Sequence, residues 1–253
     1  MKPELDSPAA VIGRVAGLLD EFHDGGRLTL SELSERTGVP RSSVHRLLTQ
    51  LIDAGWVRRE GRTYALGRSM FEWGALAQHH DELHRAAHTV LHELHSATGL
   101  IAHLAVLDGH DVRYLDKVGC ESVPLPSRVG GRQPAYRTAL GKALIAHTRL
   151  DTSGPVRLPV QPGTDSTRLR GEIAQIRERH IAQEREETMR GVACVAAPIG
   201  DGRTCVGALS VTGAVDTVDV VSLATPVRIA ARAVWRSLSH QDRAGKGFQR
   251  TSA

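Results

Sequence analysis

The stretch from Leu28 to Leu66 constrains the fold of this chain more than any other. It contains two short segments of helical periodicity, and Gly38 separates them where a left-handed residue is needed to join two helices. In the second segment, apolar side chains recur at the spacing of one buried helical face. These are Val44, Leu47, Leu48 and Leu51. The pattern predicts a helix-turn-helix, and Pro40 fits the first turn of its second helix.

The opposite face of the second helix carries side chains that donate hydrogen bonds to phosphates and base edges. They are Arg41, Ser42, Ser43, His45, Arg46 and Gln50. After a helix stop at Gly55, two short strands flank a Glu60-Gly61 turn and predict a wing. Its arginines are Arg58, Arg59 and Arg62. We expect this winged helix to bind duplex DNA, with the second helix in the major groove and the wing on the backbone or minor groove.

Positive charge is concentrated in this part of the chain. From Gly38 to Arg68 there are six arginines against two acidic residues, whereas the whole chain has a formal net charge of only +4. A local excess of this kind suits phosphate contact, and the modest total excludes a histone-like polycation. The alternative is a winged helix that contacts proteins or has no binding role.

The chain has 253 residues, which suits two modest domains. An odd number of cysteines without a C-x-x-C pair argues against a disulfide framework, and no apolar run is long enough to span a membrane. We therefore expect a cytoplasmic protein without membrane contact. The predicted parts are a winged helix-turn-helix domain (1–67), a linker helix that contacts a second copy (68–80), a second, larger domain (81–240) and a disordered tail (241–253).

The second domain mixes helices with strands. Its predicted helices are 81–98, 135–147, 168–181 and 215–238, and its predicted strands are 100–107, 111–118, 122–128, 191–199 and 204–212. Strands and helices in this arrangement indicate an α+β domain with an antiparallel sheet.

Five histidines form a row along the first of these helices, beginning at the residue just before it. The row consists of His80, His84, His88, His92 and His95. A spacing of four residues brings neighbouring imidazoles within reach of one metal ion. The sequence shows neither cysteine nor paired carboxylate partners at ligand spacing, and a solvated helix edge that happens to be rich in histidine is the better explanation of the row. We predict neither a metal nor any other cofactor, and a metal-responsive regulator is kept as an alternative.

Three blocks of sequence together resemble the IclR family of bacterial transcription regulators, over roughly Ala9 to Leu238. They are VPRSSVHRLLTQLIDAGWVRR, RQPAYRTALGKALIA and EREETMRGVACVAAPIGDGRTCVGALSVTG. The resemblance implies a GAF-like effector-binding domain behind the DNA-binding domain, homodimers that often pair into tetramers, and a pocket for a small organic ligand. By position, it implies that this pocket is lined by Leu125, Ala139, Leu140, Glu184, Cys194, Ser210 and Thr212.

Two departures from the family pattern bear on the ligand. The acidic position, usually Asp, is Glu184, and the longer side chain is expected to shrink or repolarise the pocket. Arg137 replaces a small residue and, with Arg128 and Arg132, is able to clamp an acidic ligand, unless each is an ordinary surface arginine. The resulting expectation is a small carboxylate or aromatic acid.

The function predicted from the sequence is a DNA-binding transcriptional regulator, a repressor or an activator, whose binding to a pseudo-palindromic operator is modulated by a small, acidic effector. The chain is not expected to be an enzyme, because a strand cysteine such as Cys194 is usually inert and no histidine partner is recognisable. The rival from another class is an enzyme that acts on a small acid and carries the winged helix as an accessory.

Overall fold

The computed structural model describes residues 8–24, 26–119, 124–147, 166–202 and 204–249. They divide into two compact units, the first up to His80 and the second from Asp81. None of the helices in these ranges is both long and apolar enough to cross a membrane.

The first unit is a winged helix. Its helices are α1 (Pro8–Asp20), α2 (Leu30–Thr37), α3 (Arg41–Asp53) and α4 (Arg68–His80), and its strands are β1 (Leu28–Thr29), β2 (Val57–Glu60) and β3 (Thr63–Leu66). The strands form an antiparallel sheet in the order β1-β3-β2. The helix-turn-helix and the wing predicted from the sequence are confirmed, and β1 is an additional short strand.

Local signals fix the ends of α2 and α3. Thr29 and Glu32 cap α2 reciprocally, because the Thr29 side chain accepts the Glu32 N–H while the Glu32 carboxylate accepts the Thr29 N–H. Gly38 ends α2 with a φ of 67°. At the end of α3, Gly55 has a φ of 73° and its N–H donates to the Ile52 carbonyl, which is the pattern of a Schellman motif. Pro40 is the residue before α3 rather than part of its first turn.

The apolar face of α3 forms the centre of the first unit's core. All four residues of the predicted stripe are at most 5% exposed, and they pack with Leu18 of α1 and Leu33 of α2. Burying side chains of this size contributes roughly 1.5–3 kcal/mol each before entropy is counted. Because burial of this apolar face fixes the orientation of α3, the opposite, polar face of the helix is exposed to solvent.

The second unit is built on a six-stranded antiparallel sheet in the order β6-β5-β4-β9-β8-β7. Its strands are β4 (Ile101–Asp108), β5 (Asp111–Val118), β6 (Arg132–Pro134), β7 (Ala182–Arg185), β8 (Val192–Gly200) and β9 (Cys205–Ala214). Its helices are α5 (Glu82–Thr98), α6 (Ala139–His147), α7 (Ser166–Arg179) and α8 (Val220–Gln249), and a 3₁₀ turn (Ala135–Arg137) precedes α6. Helices α5 and α8 pack on one face of the sheet, and α6 and α7 pack on the other.

The structure corrects several predicted boundaries. The predicted strand at 122–128 is wrong for 124–128, where Pro124 and Pro126 lack the N–H groups that a strand needs, while residues 122 and 123 lie outside the described residues. Strands β6 and β7 were not predicted, because three or four residues show too little alternation. Helix α8 continues to Gln249 in place of a disordered tail from residue 241, since no proline interrupts it after Pro226. The last four residues of that tail lie outside the described residues.

Candidate functional site

The outward face of α3 presents the polar residues that the sequence predicted to contact DNA. Arg41, Ser42, His45, Arg46 and Gln50 are exposed, and Ser43 is half-buried beside Val44. A 13-residue helix of this kind, with its apolar face buried and its donors outward, has the form that enters a major groove.

The wing arginines are held differently from one another. Arg58 forms an ion pair with Glu60, and its Nε donates to the Leu66 carbonyl at 3.2 Å. Arg59 donates to the Gly61 carbonyl at 2.9 Å, while Arg62 is exposed in the turn between the strands. Glu60 also pairs with Arg27, at 2.8 Å. The wing is thus positively charged but partly neutralised by its own glutamate.

A small polar cavity lies at the start of α6, between the sheet and the segment from Leu125 to Ser127. Its free volume is about 40 Å³, which is roughly the space of one water molecule. It is lined by His103, Tyr114, Leu125, Pro126, Ser127, Gln133, Thr138, Ala139, Leu140, Glu184, Thr188, Met189, Val192, Cys194 and Thr212. We call it the α6 cavity.

The α6 cavity brings together six of the residues that the sequence placed in an effector pocket: Leu125, Ala139, Leu140, Glu184, Cys194 and Thr212. Ser210 lies on the same sheet face but does not line the cavity, and its fully buried hydroxyl has no well-formed hydrogen bond within the described ranges.

The arginines predicted to clamp an acid do not converge on the cavity. Arg128 and Arg137 are exposed and absent from its lining. The Arg137 guanidinium donates instead to the Glu187 carbonyl, and Arg132 pairs with Asp108 at 3.1 Å. Their side chains are drawn outwards because these acceptors lie at the surface, where the guanidinium keeps its hydration.

Glu184 is the acidic group of the α6 cavity. It lies on β7 opposite Cys194 of β8, and its Oε1 accepts the backbone N–H groups of Glu187 and Thr188. Burial raises the pKa of the Glu184 carboxyl, although these two hydrogen bonds oppose the effect. The carboxyl is therefore anchored on one oxygen and able to meet a ligand with the other.

Helix α6 begins at the cavity wall with unused donors. Thr138 caps the helix, because its hydroxyl accepts the Gly141 N–H at 2.9 Å and its carbonyl accepts the Lys142 N–H. The N–H groups of Ala139 and Leu140 belong to the first turn, where they have no partner within the helix. A helix start with such donors favours an anion such as a carboxylate.

Behind this helix start, a buried ion pair joins three elements. Lys142 is 1% exposed, and its Nζ lies 2.7 Å from both Glu172 of α7 and Glu187 of the segment after β7. Since Glu187 also donates its N–H to Glu184, the lysine fixes the segment that anchors the cavity's acidic group.

Sequence reasoning missed His103, which at 2% exposure is the most buried polar residue that lines the cavity. Its Nε2 lies 2.9 Å from the Ser127 hydroxyl and its Nδ1 lies 3.4 Å from Thr212 Oγ1. Burial, assisted by Lys117, lowers the pKa of His103 to about 3, so the imidazole is neutral at neutral pH. A single histidine in the otherwise apolar run of the predicted strand 100–107 was the available signal.

Mild acid is expected to destabilise the second unit through His103. The pKa of His103 is about 3 in the folded protein and 6.5 in the unfolded chain. The free energy that the folded state gains by keeping the imidazole neutral is therefore fully present above pH 6.5 and is lost as the pH falls towards 3. Between pH 7 and pH 5 the loss amounts to about 2 kcal/mol. Urea unfolding of the wild type and of His103→Gln at both pH values measures it, because the amide does not titrate. Equal losses in the two proteins would contradict the assignment.

Cys194 is a buried thiol, and not an activated one. Burial raises its pKa to about 11, and the Thr212 hydroxyl, which donates to Sγ at 3.1 Å, offsets only part of this effect. Ser210 lies near enough to lower the pKa slightly. Such a thiol remains protonated at neutral pH.

Larger clefts lie elsewhere on the second unit. One of about 320 Å³ is lined by His147, His180, Cys205 and Trp235, and another of the same volume lies beside Glu172 and Gln183. We favour the α6 cavity as the ligand site, because buried donors and acceptors from six elements converge on it, as they do in small-molecule sites.

A winged helix with an outward donor face, followed by a sheet unit with a small polar cavity, is the architecture of a transcription regulator with an effector domain. Family comparisons agree along most of the chain. The IclR helix-turn-helix domain matches residues 11–61, and the C-terminal domain of the bacterial transcriptional regulator IclR matches residues 75–237. The chain belongs to the IclR family of transcriptional regulators, with an N-terminal DNA-binding domain and a C-terminal effector-binding domain.

Individual relatives support this membership. The transcriptional regulator KdgR of Escherichia coli is 31% identical over 206 residues, which cover 78% of each chain. The regulator XynR of the same organism is 30% identical over 244 residues, covering 90% of this chain and 97% of its own. An IclR homolog from Microbacterium hydrocarbonoxydans, solved in complex with 4-hydroxybenzoate, superposes with a TM-score of 0.78 at 25% identity, covering 91% of this chain and 99% of that one.

Proposed function

We propose that this regulator acts in the cytoplasm as a homodimer or tetramer, binds a pseudo-palindromic operator and releases or rearranges on it when a small organic acid enters the α6 cavity. The observation that carries the proposal is that the helix start at Ala139 and Leu140 and the carboxyl of Glu184 line the same cavity. Backbone donors together with a carboxyl suit a ligand with a carboxylate and a hydroxyl.

The class of ligand follows from these two ends. A carboxylate is stabilised by the N–H groups at the start of α6, and a ligand hydroxyl is able to donate to Glu184. 4-Hydroxybenzoate, found in the Microbacterium homolog, has both groups. Because the free volume of the α6 cavity is only about 40 Å³, we expect it to widen when such an acid binds, and the strand-free segment from Leu125 to Ser127 is the part of its wall that no sheet pairing holds. That widening is the change of state through which the effector acts.

The proposal of a second copy rests on the apolar surface of α4. Phe71, Trp73 and Leu76 are 80%, 51% and 57% exposed. Trp73 makes one edge-to-face contact with Trp56, with ring centroids 4.8 Å apart, which leaves most of this surface uncovered. Exposed apolar side chains in a continuous stretch are typical of protein interfaces. A two-fold dimer places two copies of α3 on related half-sites.

We propose a binding protein and not an enzyme. The pair formed by His103 and Ser127 resembles a base and a nucleophile, but an imidazole with a pKa of about 3 is too weak a base at neutral pH. The Cys194 thiol is protonated there as well. These properties fit a pocket whose polar groups orient a ligand.

Two binding measurements test this function. Genomic fragments selected on the purified protein should be enriched in one palindromic site, and the genes beside that site should name the pathway of the effector. Titration with 4-hydroxybenzoate and with benzoate should then change the affinity for the selected site, with the hydroxy acid acting at lower concentration. Salt-sensitive binding without enrichment would contradict a specific regulator, and an operator complex unaffected by small acids would contradict the ligand class.

Replacing Arg46 by alanine is expected to weaken binding to the selected site by about 1–3 kcal/mol, because the arginine is exposed on the reading face of α3. Fluorescence anisotropy with specific and random duplexes measures the loss. Arg85→Ala, an exposed arginine of α5, is the matched control and should leave both affinities unchanged. Equal losses on specific and random DNA would instead make Arg46 a phosphate contact.

A further inference from the structure

Three potential metal ligands from two separate elements meet on the α5 face of the sheet. His84 Nε2 lies 3.4 Å and His88 Nδ1 lies 3.0 Å from the same oxygen, Oδ2 of Asp116. All three ligand atoms lie within 4.8 Å of one another. The two histidines are one helical turn apart on α5, while Asp116 comes from β5. The third ligand that the histidine row lacked in the sequence is therefore supplied by the fold.

An irregularity in β5 brings Asp116 to this face. The register between β4 and β5 shifts so that Leu104 pairs with Asp116 but Ala105 pairs with Tyr114, which leaves Leu115 as an extra residue. Before this bulge, Tyr114 points into the core beneath α6; after it, Val118 packs in the core beneath α5. A regular strand would have aimed Asp116 at the α6 face, and bulges are known to re-aim side chains at functional positions.

The surroundings prepare these groups for coordination. The second oxygen of Asp116, Oδ1, accepts the Lys117 N–H at 2.8 Å, which orients the carboxylate and leaves Oδ2 for one further bond. His84 is in the first turn of α5, where Asp81 accepts its N–H at 2.7 Å. That hydrogen bond fixes the start of α5, and with it the position of the His84 ring beside Asp116.

We propose that His84, His88 and Asp116 form a binding site for a divalent transition-metal ion of the zinc class, completed by water. A separation of 3.4 Å is long for a hydrogen bond but matches the edge of a tetrahedron with bonds of about 2.0–2.1 Å. Two imidazoles and one carboxylate suit zinc, nickel or copper better than calcium or magnesium. The ion would tie α5 to the sheet at a point outside the α6 cavity.

His92 and His95 of the same row lie outside the proposed site. The His95 Nδ1 hydrogen-bonds the Leu100 carbonyl at 2.7 Å, and His92 is exposed one turn beyond His88, with its ring 4.8 Å from that of His88. His92 is therefore a matched control on the same helix. His88 is itself 54% exposed in its side chain, so its replacement should not disturb folding.

Calorimetric titration of untagged, EDTA-stripped protein with Zn²⁺ tests the site. The wild type and His92→Ala should bind one ion per chain tightly and melt at a higher temperature with it. His88→Ala and Asp116→Asn should bind it roughly tenfold or more weakly. With Co²⁺, the wild type should show the strong visible bands of tetrahedral coordination, and His88→Ala should lose them.

Two results would overturn the proposal. Failure of the wild type to bind zinc would leave only a histidine–aspartate ion pair. Binding that is unchanged in both His88→Ala and Asp116→Asn would place the ion elsewhere, for example at the contact between His147 and His180. Far-ultraviolet circular dichroism of each variant shows whether it is folded. If Asp116→Asn does not fold, the zinc affinity of His88→Ala alone tests the site.

Discussion

Replacing Glu184 by glutamine is expected to abolish the response to the effector while leaving operator affinity within about a factor of two. Glutamine keeps the carbonyl oxygen that accepts the N–H groups of Glu187 and Thr188, so the segment after β7 should retain its structure. It loses the charge that receives a ligand hydroxyl. Anisotropy of the operator complex, titrated with the hydroxy acid, measures the response.

Two further variants define what this experiment means. Gln183→Ala is the control, because Gln183 is the exposed neighbour of Glu184 on the same strand and points away from the α6 cavity. Glu184→Ala should also lose the response, but it leaves two backbone donors without their acceptor and is expected to be less stable. A full response in Glu184→Gln would show that the carboxyl does not contact the ligand.

Replacing Gly141 by alanine is expected to lower the free energy of unfolding of the second unit by about 3 kcal/mol or more. An added Cβ would lie 2.1 Å from the Ala135 carbonyl oxygen and 2.4 Å from its Cα. Both are backbone atoms of the 3₁₀ turn before α6, so no side-chain rotation relieves the overlap. Helix α6 would have to move away from the turn that helps to form the cavity wall.

Urea unfolding followed by circular dichroism measures this loss, with Gly171→Ala as the control. Gly171 is exposed in α7, and an added Cβ there would meet nothing within 4 Å. Because alanine favours helix over glycine, the control is expected to gain up to about 1 kcal/mol. If both variants behaved alike, the packing of α6 against its preceding turn would be looser than the structure indicates.

The elements that the sequence predicted best are those in which one helix or strand carries its own signal. The stripe from Val44 to Leu51 has the period of one buried helical face, and the long strands β8 and β9 are almost continuous runs of buried residues. The short strands β6 and β7 carry too few apolar residues to show a pattern in the sequence, and each exists because a longer neighbour pairs with it. A residue's pairing partner across a sheet is not visible in the residues beside it.

The residues of the α6 cavity likewise fall into those that the sequence predicted and those that it did not. Residues such as Ala139, Glu184 and Cys194 were expected to be near one another because they lie in blocks that resemble a known family, and their roles remain predictions. His103 and Ser127 were missed because neither has a motif, and they meet only when β4 comes under the segment before Arg128. Asp116, which lies outside the cavity, was missed because regular alternation along β5 would have placed its side chain on the α6 face of the sheet and not on the α5 face.

The ion pair of Lys142 has a consequence for anyone who would convert this regulator into a biosensor. Glu172, on the outer helix α7, reaches the anchor of Glu184 through Lys142 and Glu187 without lining the α6 cavity. If the α6 cavity binds the effector as proposed, libraries at Glu172 and at Arg168, which pairs with it at 2.9 Å, are therefore expected to change ligand preference without altering any residue that lines the cavity.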